Sequence, residues 1–183
     1  MKTDNPFDAL DAGSGAYFSW GSQANAWKID GDEVQLTGFL IDPASIKTGF
    51  GKLATGEAPD WVWAEIPGTK MPPPSDDHKP AVYVDVYVTE EDGAPSEGWK
   101  PWATNARASR EALKAIWQDV HAGVAKNKGR AAAVKVTGSK AVKFGPASVR
   151  VPQLELTGFV ERPGDAAVSQ PSPSGDDGDD DLF

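Results

Sequence analysis

The sequence predicts a mainly β body, a small barrel with one packed α-helix and long loops, followed by a disordered acidic tail. Three observations predict it. Five segments alternate β-branched or aromatic residues at period two between Gly, Pro, Asp or Ser. A single segment repeats its apolar residues at helical spacing. From Gly164 onward the chain turns to Gly, Pro, Ser and Asp, with almost nothing to bury.

Taken in order, residues 1–15 read as a flexible lead and 16–163 as the folded body. The strand signals are "EVQLTGFLI" from Glu33, "DWVWAEI" from Asp60, "AVYVDVYVT" from Ala81, "AAAVKVTG" from Ala131 and "SVRVPQLELTGFV" from Ser148. Between the second and third lies a proline-rich loop, "IPGTKMPPPSDDHKP", expected as a mobile flap; "GWKPWATNAR" reads as another loop. The helix falls on "SREALKAIWQDVHAGVAKN", where Leu113, Ile116, Trp117, Val120 and Val124 recur along one side. Ser109 or Thr104 is positioned to cap its start, and Lys126, Lys128 and Gly129 mark its end. A turn is expected at Gly138 and Ser139. "VQLTGFLIDP" at 34–43 resembles "LELTGFVERP" at 154–163, which two adjacent, barrel-closing strands or an internal duplication would each explain.

The net charge of -9 conceals a sorting along the chain: residues 1–99 carry -11, residues 100–150 carry +9 and the segment from Gly164 carries -6. A basic stretch inside an acidic protein, followed by an anionic segment, fits a polyanion-binding face with a competing tail, although solvated surface charge gives the same asymmetry. With 183 residues, no cysteine and no apolar run of roughly 18 residues, the expectation is one domain in a reducing cytoplasm, with no signal peptide, membrane span or disulfide.

Catalytic chemistry finds little support. His78 sits in the proline-rich loop and His121 beside the helix stripe, neither at metal-ligand spacing, and no phosphate-binding loop, nucleophile elbow or HExxH occurs. No catalytic residue, metal or cofactor is assigned.

The aromatics say more, with seven tryptophans present. Trp61 and Trp63 share one face of a strand, as do Tyr83 and Tyr87, while Val82, Val84, Val86 and Val88 form the opposite, core-facing row. Exposed rings along a strand suit single-stranded nucleic acid, whose bases stack on flat π-faces; packing of the tyrosines under the proline-rich loop is the alternative. Lys135, Lys140, Lys143 and Arg150 alternate with valines in the last two strands, as a wall tracking a phosphate backbone would require. Trp99, Lys100, Trp102 and Arg107 interleave rings and cations in one segment.

Residues 176–183 read "DDGDDDLF": Asp176, Asp177, Asp179, Asp180 and Asp181 precede Leu182 and Phe183. Like charges keep such a run extended, leaving the apolar pair on offer to another surface. With the "LTGF" strands and the β-rich body, this resembles the single-stranded DNA-binding proteins of bacteria and, more closely, of bacteriophages. In these an OB-fold body ends in an acidic tail with a terminal aromatic; Leu182 stands where bacterial tails carry an Ile-Pro pair, which favours the phage type. The resemblance implies an OB-like barrel binding single-stranded DNA in replication, recombination or repair, in the host cytoplasm. It implies a tail that competes for the DNA groove and recruits a polymerase, helicase/primase, recombinase or nuclease. It leaves homo-oligomerisation open. The rival readings are a virion-associated or structural β protein that binds no nucleic acid and, less favoured, a metal-dependent enzyme acting on nucleic acid.

Overall fold

In the computed structural model of the chain, the structure describes residues 17–164. They form nine strands and one helix: β1 (Phe18–Gly21), β2 (Ala26–Ile29), β3 (Asp32–Val34), β4 (Gly38–Lys52), β5 (Asp60–Trp63), β6 (Lys79–Val88), β7 (Gly98–Thr104), α1 (Arg107–Val124), β8 (Arg130–Phe144) and β9 (Ala147–Glu161). The expected mainly β body with one helix is what the chain builds. Strands β1, β2 and β3 make a small antiparallel sheet; the rest form a larger one in the order β7-β6-β4-β8-β9, with β5 added to β4. Closure into a barrel is not present among the described residues, since β7 and β9 each have a single ladder partner and end the sheet.

The sequence dictates several of these elements locally. Ile29 pairs with Asp32 across Asp30 and Gly31, whose φ values of 54° and 86° give the two-residue turn that matches strand twist. In β6 the alternation runs as predicted: Val84, Val86 and Val88 are fully buried, and Tyr83, Asp85 and Tyr87 lie on the other face. That core is ring-rich. Phe18, Trp27, Phe39 and Trp102 meet at centroid separations of 5.0 to 6.0 Å, mostly edge to face, the geometry their quadrupoles favour. Helix α1 covers one end of it through Leu113, Ile116 and Val120, and Ala108 and Ala112 pack against Val142, Phe144, Val149 and Val151 of the last hairpin. At Gly123 a Cβ would fall 2.3 Å from the Phe159 ring, so the helix reaches β9 only because that residue has no side chain.

Several sequence expectations are corrected. "GWKPWAT" is strand β7, paired with β6 along its whole length, and not a loop. No turn occurs at Gly138 and Ser139; there the β8–β9 ladder shifts register in a bulge, and the turn comes at Gly145 and Pro146. The two "LTGF" segments are not neighbours. They flank β8, with Ile41 and Phe159 opposite Ala132 on either side. Neither Ser109 nor Thr104 is the N-cap: Ala106 occupies that place, Thr104 Oγ1 accepts its backbone N–H at 3.0 Å, and Ser109 is buried within the first turn. No helix among the described residues is long and apolar enough to cross a membrane.

Candidate nucleic-acid interface

The face of the large sheet opposite the core gathers most of the predicted rings. The register sets them in rows: Trp61, Gly51 and Lys79; Trp63, Gly49 and Ala81; Lys47, Tyr83 and Ala103; Leu40, Tyr87 and Trp99. Glycine makes the first row possible. A Cβ on Gly51 would lie 2.1 Å from Trp61 Cζ3, so the indole lies down on bare backbone. Trp61 and Trp63 then stack at 5.5 Å with their planes 13° apart, and Trp63 meets Tyr83 edge-on at 6.1 Å. The result is an unbroken run of three rings, each half-buried and each with surface left to offer.

A bulge shapes the middle of this face. From Asp42 to Lys47 β4 advances five residues while β6 retreats only two, from Asp85 to Tyr83. The extra residues are tied down internally: Asp42 Oδ1 accepts from Ala44 N at 3.0 Å, Ser45 Oγ donates to Asp42 O at 2.7 Å, and Asp85 N donates to Ser45 Oγ at 2.7 Å. Between the bulge and the end of β5 opens a cleft of about 430 Å³, bordered by Lys47, Trp63, Pro67, Tyr83 and Asp85. The Tyr83 hydroxyl donates to Asp85 at 2.6 Å, and Lys47 Nζ sits 4.8 Å from the Tyr83 ring centroid. Burial, and after it the bond to Asp85 and that residue's negative charge, hold the Tyr83 phenol protonated far above its ordinary range.

At the other end, the Tyr87 hydroxyl donates to Glu97 at 2.6 Å, and that bond is the main reason its pKa is raised. Its ring meets Trp99 at 5.3 Å. The chain leaving β9 crosses over this pair: Trp99 Nε1 donates to Pro163 O at 3.2 Å, and the Arg162 guanidinium lies 4.6 Å above the Trp99 ring while Nε donates to Asp42 at 3.0 Å. Tyr87 and Trp99 are therefore partly covered by the chain's own exit.

The remaining predicted site residues divide. Trp102 is fully buried in the core, because it stands three residues after Trp99 and so faces the opposite way; it offers nothing to a ligand. Lys100, on the same inward row, is 5 % exposed and reaches Ser96 Oγ at 3.4 Å, so it too is removed from the face. Arg107 is exposed but rests on the Phe144 ring at 3.9 Å, at the start of α1. Lys135 is on the ring-bearing face, opposite Gly38 on one side and Glu155 on the other. Lys140 shares its row with Val142, Phe144 and Val151, towards the helix, and borders a pocket with Glu111. Lys143 and Arg150 alternate to the reverse side of the same hairpin. The four cations thus do not form one wall. Lys47 and Lys79, which sequence reasoning passed over, stand beside the rings instead; their pairing with Tyr83 and with Gly51 across β4 depends on a register no local pattern encodes. The tail residues Asp176, Asp177, Asp179, Asp180, Asp181, Leu182 and Phe183 lie outside the described residues.

His78, which the sequence places in the proline-rich loop and which would there be expected on the loop surface, is instead buried. It is 8 % exposed: Nδ1 lies 2.7 Å from Ser75 Oγ and Nε2 lies 3.1 Å from Asp60 Oδ2. A neutral imidazole satisfies both by accepting the serine proton and donating to the carboxylate. Ser75 N-terminal to it also gives its carbonyl to His78 N, so the trio is a turn anchor that fastens the proline-rich loop to β5. The loop's other end is held where Gly68 N donates to Thr48 Oγ1 at 2.7 Å. His121 is exposed in the last turn of α1. Among the described residues no group of three or more His, Asp or Glu side chains is arranged to hold a metal ion.

Comparison with protein-family models, with curated proteins and with solved structures finds no match for this chain.

Proposed function

We propose that the protein binds single-stranded DNA without reading its sequence, in replication, recombination or repair of the phage type, and that residues 176–183 recruit partner proteins. The observation that supports this reading is the contiguous array of Trp61, Trp63 and Tyr83, three half-buried rings carried on a sheet with a cleft of about 430 Å³ beside them. Unpaired bases stack on such rings for about 1–3 kcal/mol each, whatever their identity. Duplex DNA keeps its bases stacked internally and has no π-face to give.

Charge plays a smaller part than the sequence suggested. Among the described residues Lys47, Lys79 and Lys135 stand on the ring-bearing face without a carboxylate partner, while Arg162, over Trp99, is paired with Asp42. If all three meet phosphates, the logarithmic salt slope for a single strand is about -2, so a fourfold rise in salt weakens binding about 20-fold. Titrating the protein with oligo(dT) and with duplex of equal length at two salt concentrations tests the reading. Preference for the single strand with that moderate slope is expected; equal affinity for duplex, or no binding to either, refutes it.

A further inference from the structure

On the other side of β6 from the rings, α1 and the proline-rich loop enclose a second, larger groove of about 560 Å³. Its size falls within the range of pockets that accept drug-sized groups, about 300–1,000 Å³. Its walls are apolar, with Phe50, Met71, Leu113 and Trp117 prominent. Its charged groups are of one sign: Lys70, Arg110 and Lys114 border it, and among the described residues no acidic one does. Arg110 Nε is buried without a hydrogen-bond acceptor among the described residues, and burial lowers the guanidinium's pKa, outweighing the attraction of neighbouring Glu111. The groove thus calls for a ligand with apolar side chains and adjacent carboxylates.

We infer that its occupant is this chain's own segment 176–183, with Leu182 and Phe183 in the apolar groove and the aspartates against Lys70, Arg110 and Lys114. The sequence supplies that combination in one stretch, five aspartates followed by Leu-Phe. The tether is long enough. The 18 residues from Asp165 to Leu182 reach about 60 Å when extended, against a radius of gyration of about 15 Å for a body of this size. Joined to its target, the segment acts at an effective concentration on the order of millimolar, so a weak site suffices. The ring-bearing face is the poorer seat, because Asp85, Glu97 and Glu155 stand among its cations, whereas no acidic residue borders the groove among the described residues. This inference does not rest on DNA binding.

The chain has no cysteine, so Ser174→Cys in the full-length protein takes a single nitroxide label. Paramagnetic broadening is expected at amides of Thr69, Lys70, Arg110, Leu113 and Trp117, independent of protein concentration. It should disappear on adding Lys114→Glu, an exposed position that leaves folding intact, or Leu182→Ser with Phe183→Ser. Broadening centred on Tyr83 and Trp99 would place the segment on the ring-bearing face and overturn the assignment. Uniform weak broadening would show that no seat exists, and broadening that grows with concentration would assign the contact to a second copy; each overturns it as well.

Discussion

Gly51→Ala is the sharpest probe of the ring array, because it adds one methyl group and removes no ring and no charge. The added Cβ would lie 2.1 Å from Trp61 Cζ3 and 2.3 Å from Cε3, where ordinary contacts begin at 3.4 Å, so the indole must move by about 1.3 Å or more. Gly51 has no left-handed φ, and alanine fits a strand, so the backbone can keep its place. Trp61 is half-buried and its ring can swing outward, which leaves the fold stable while breaking the 5.5 Å stack on Trp63. Losing one stacking position of about 1–3 kcal/mol corresponds to about 5- to 150-fold weaker binding of oligo(dT). Fluorescence anisotropy with a labelled oligonucleotide reads the affinity, and near-ultraviolet circular dichroism reports whether the indole pair has come apart. An altered dichroism spectrum with unchanged affinity would refute the assignment of base stacking to Trp61.

Other consequences follow from the same geometry. Trp102→Ala should lower unfolding stability by about 3–5 kcal/mol in urea melts, as core truncations do, whereas Trp99→Ala should cost about 1 kcal/mol; equal costs would contradict their placement on opposite faces. His78→Ala should lose about 1–3 kcal/mol, a fall of about 2–10 °C in Tm, and speed amide exchange through residues 64–78; an unchanged melt with unchanged exchange would show that the Ser75–His78–Asp60 anchor is not made. Tyr83 and Tyr87 should form phenolate only above the ordinary tyrosine pKa of about 10, read as delayed 295 nm absorbance. Since their folded-state pKa values are raised, the stability they contribute is complete below pH 10 and declines as pH rises beyond it; a single absorbance step near pH 10 would contradict both hydrogen bonds.

Local pattern carried the sequence reading where side-chain period alone decides the structure. β6 was legible because its valines and tyrosines separate cleanly onto two faces, and α1 because Leu113, Ile116 and Val120 repeat at helical spacing. β7 was hidden by Pro101 and by the mixture of Trp99, Lys100 and Trp102, which resembles a loop until β6 supplies its ladder. The outer half of β4 was hidden for a related reason: Pro43 and Ala44 sit in a bulge, and the glycines at 49 and 51 lower strand propensity while serving to seat the tryptophans. Trp61, Trp63 and Tyr83 were found from alternation; Lys47 and Lys79 were not, because cross-strand register brings them there. The cationic wall failed for the same physical reason. Lys140 and Lys143 are three residues apart in a strand and so face opposite ways, and a bulge separates both from Lys135.

The central claim, that a nucleotide chain lies on the rings of β5 and β6, is tested most directly by ultraviolet cross-linking of oligo(dT) to the full-length protein followed by peptide mapping. Adducts on Trp61, Trp63 and Tyr83 are the result this account predicts. Adducts confined to the β8–β9 hairpin around Lys143 and Arg150, with none between residues 60 and 88, would contradict it.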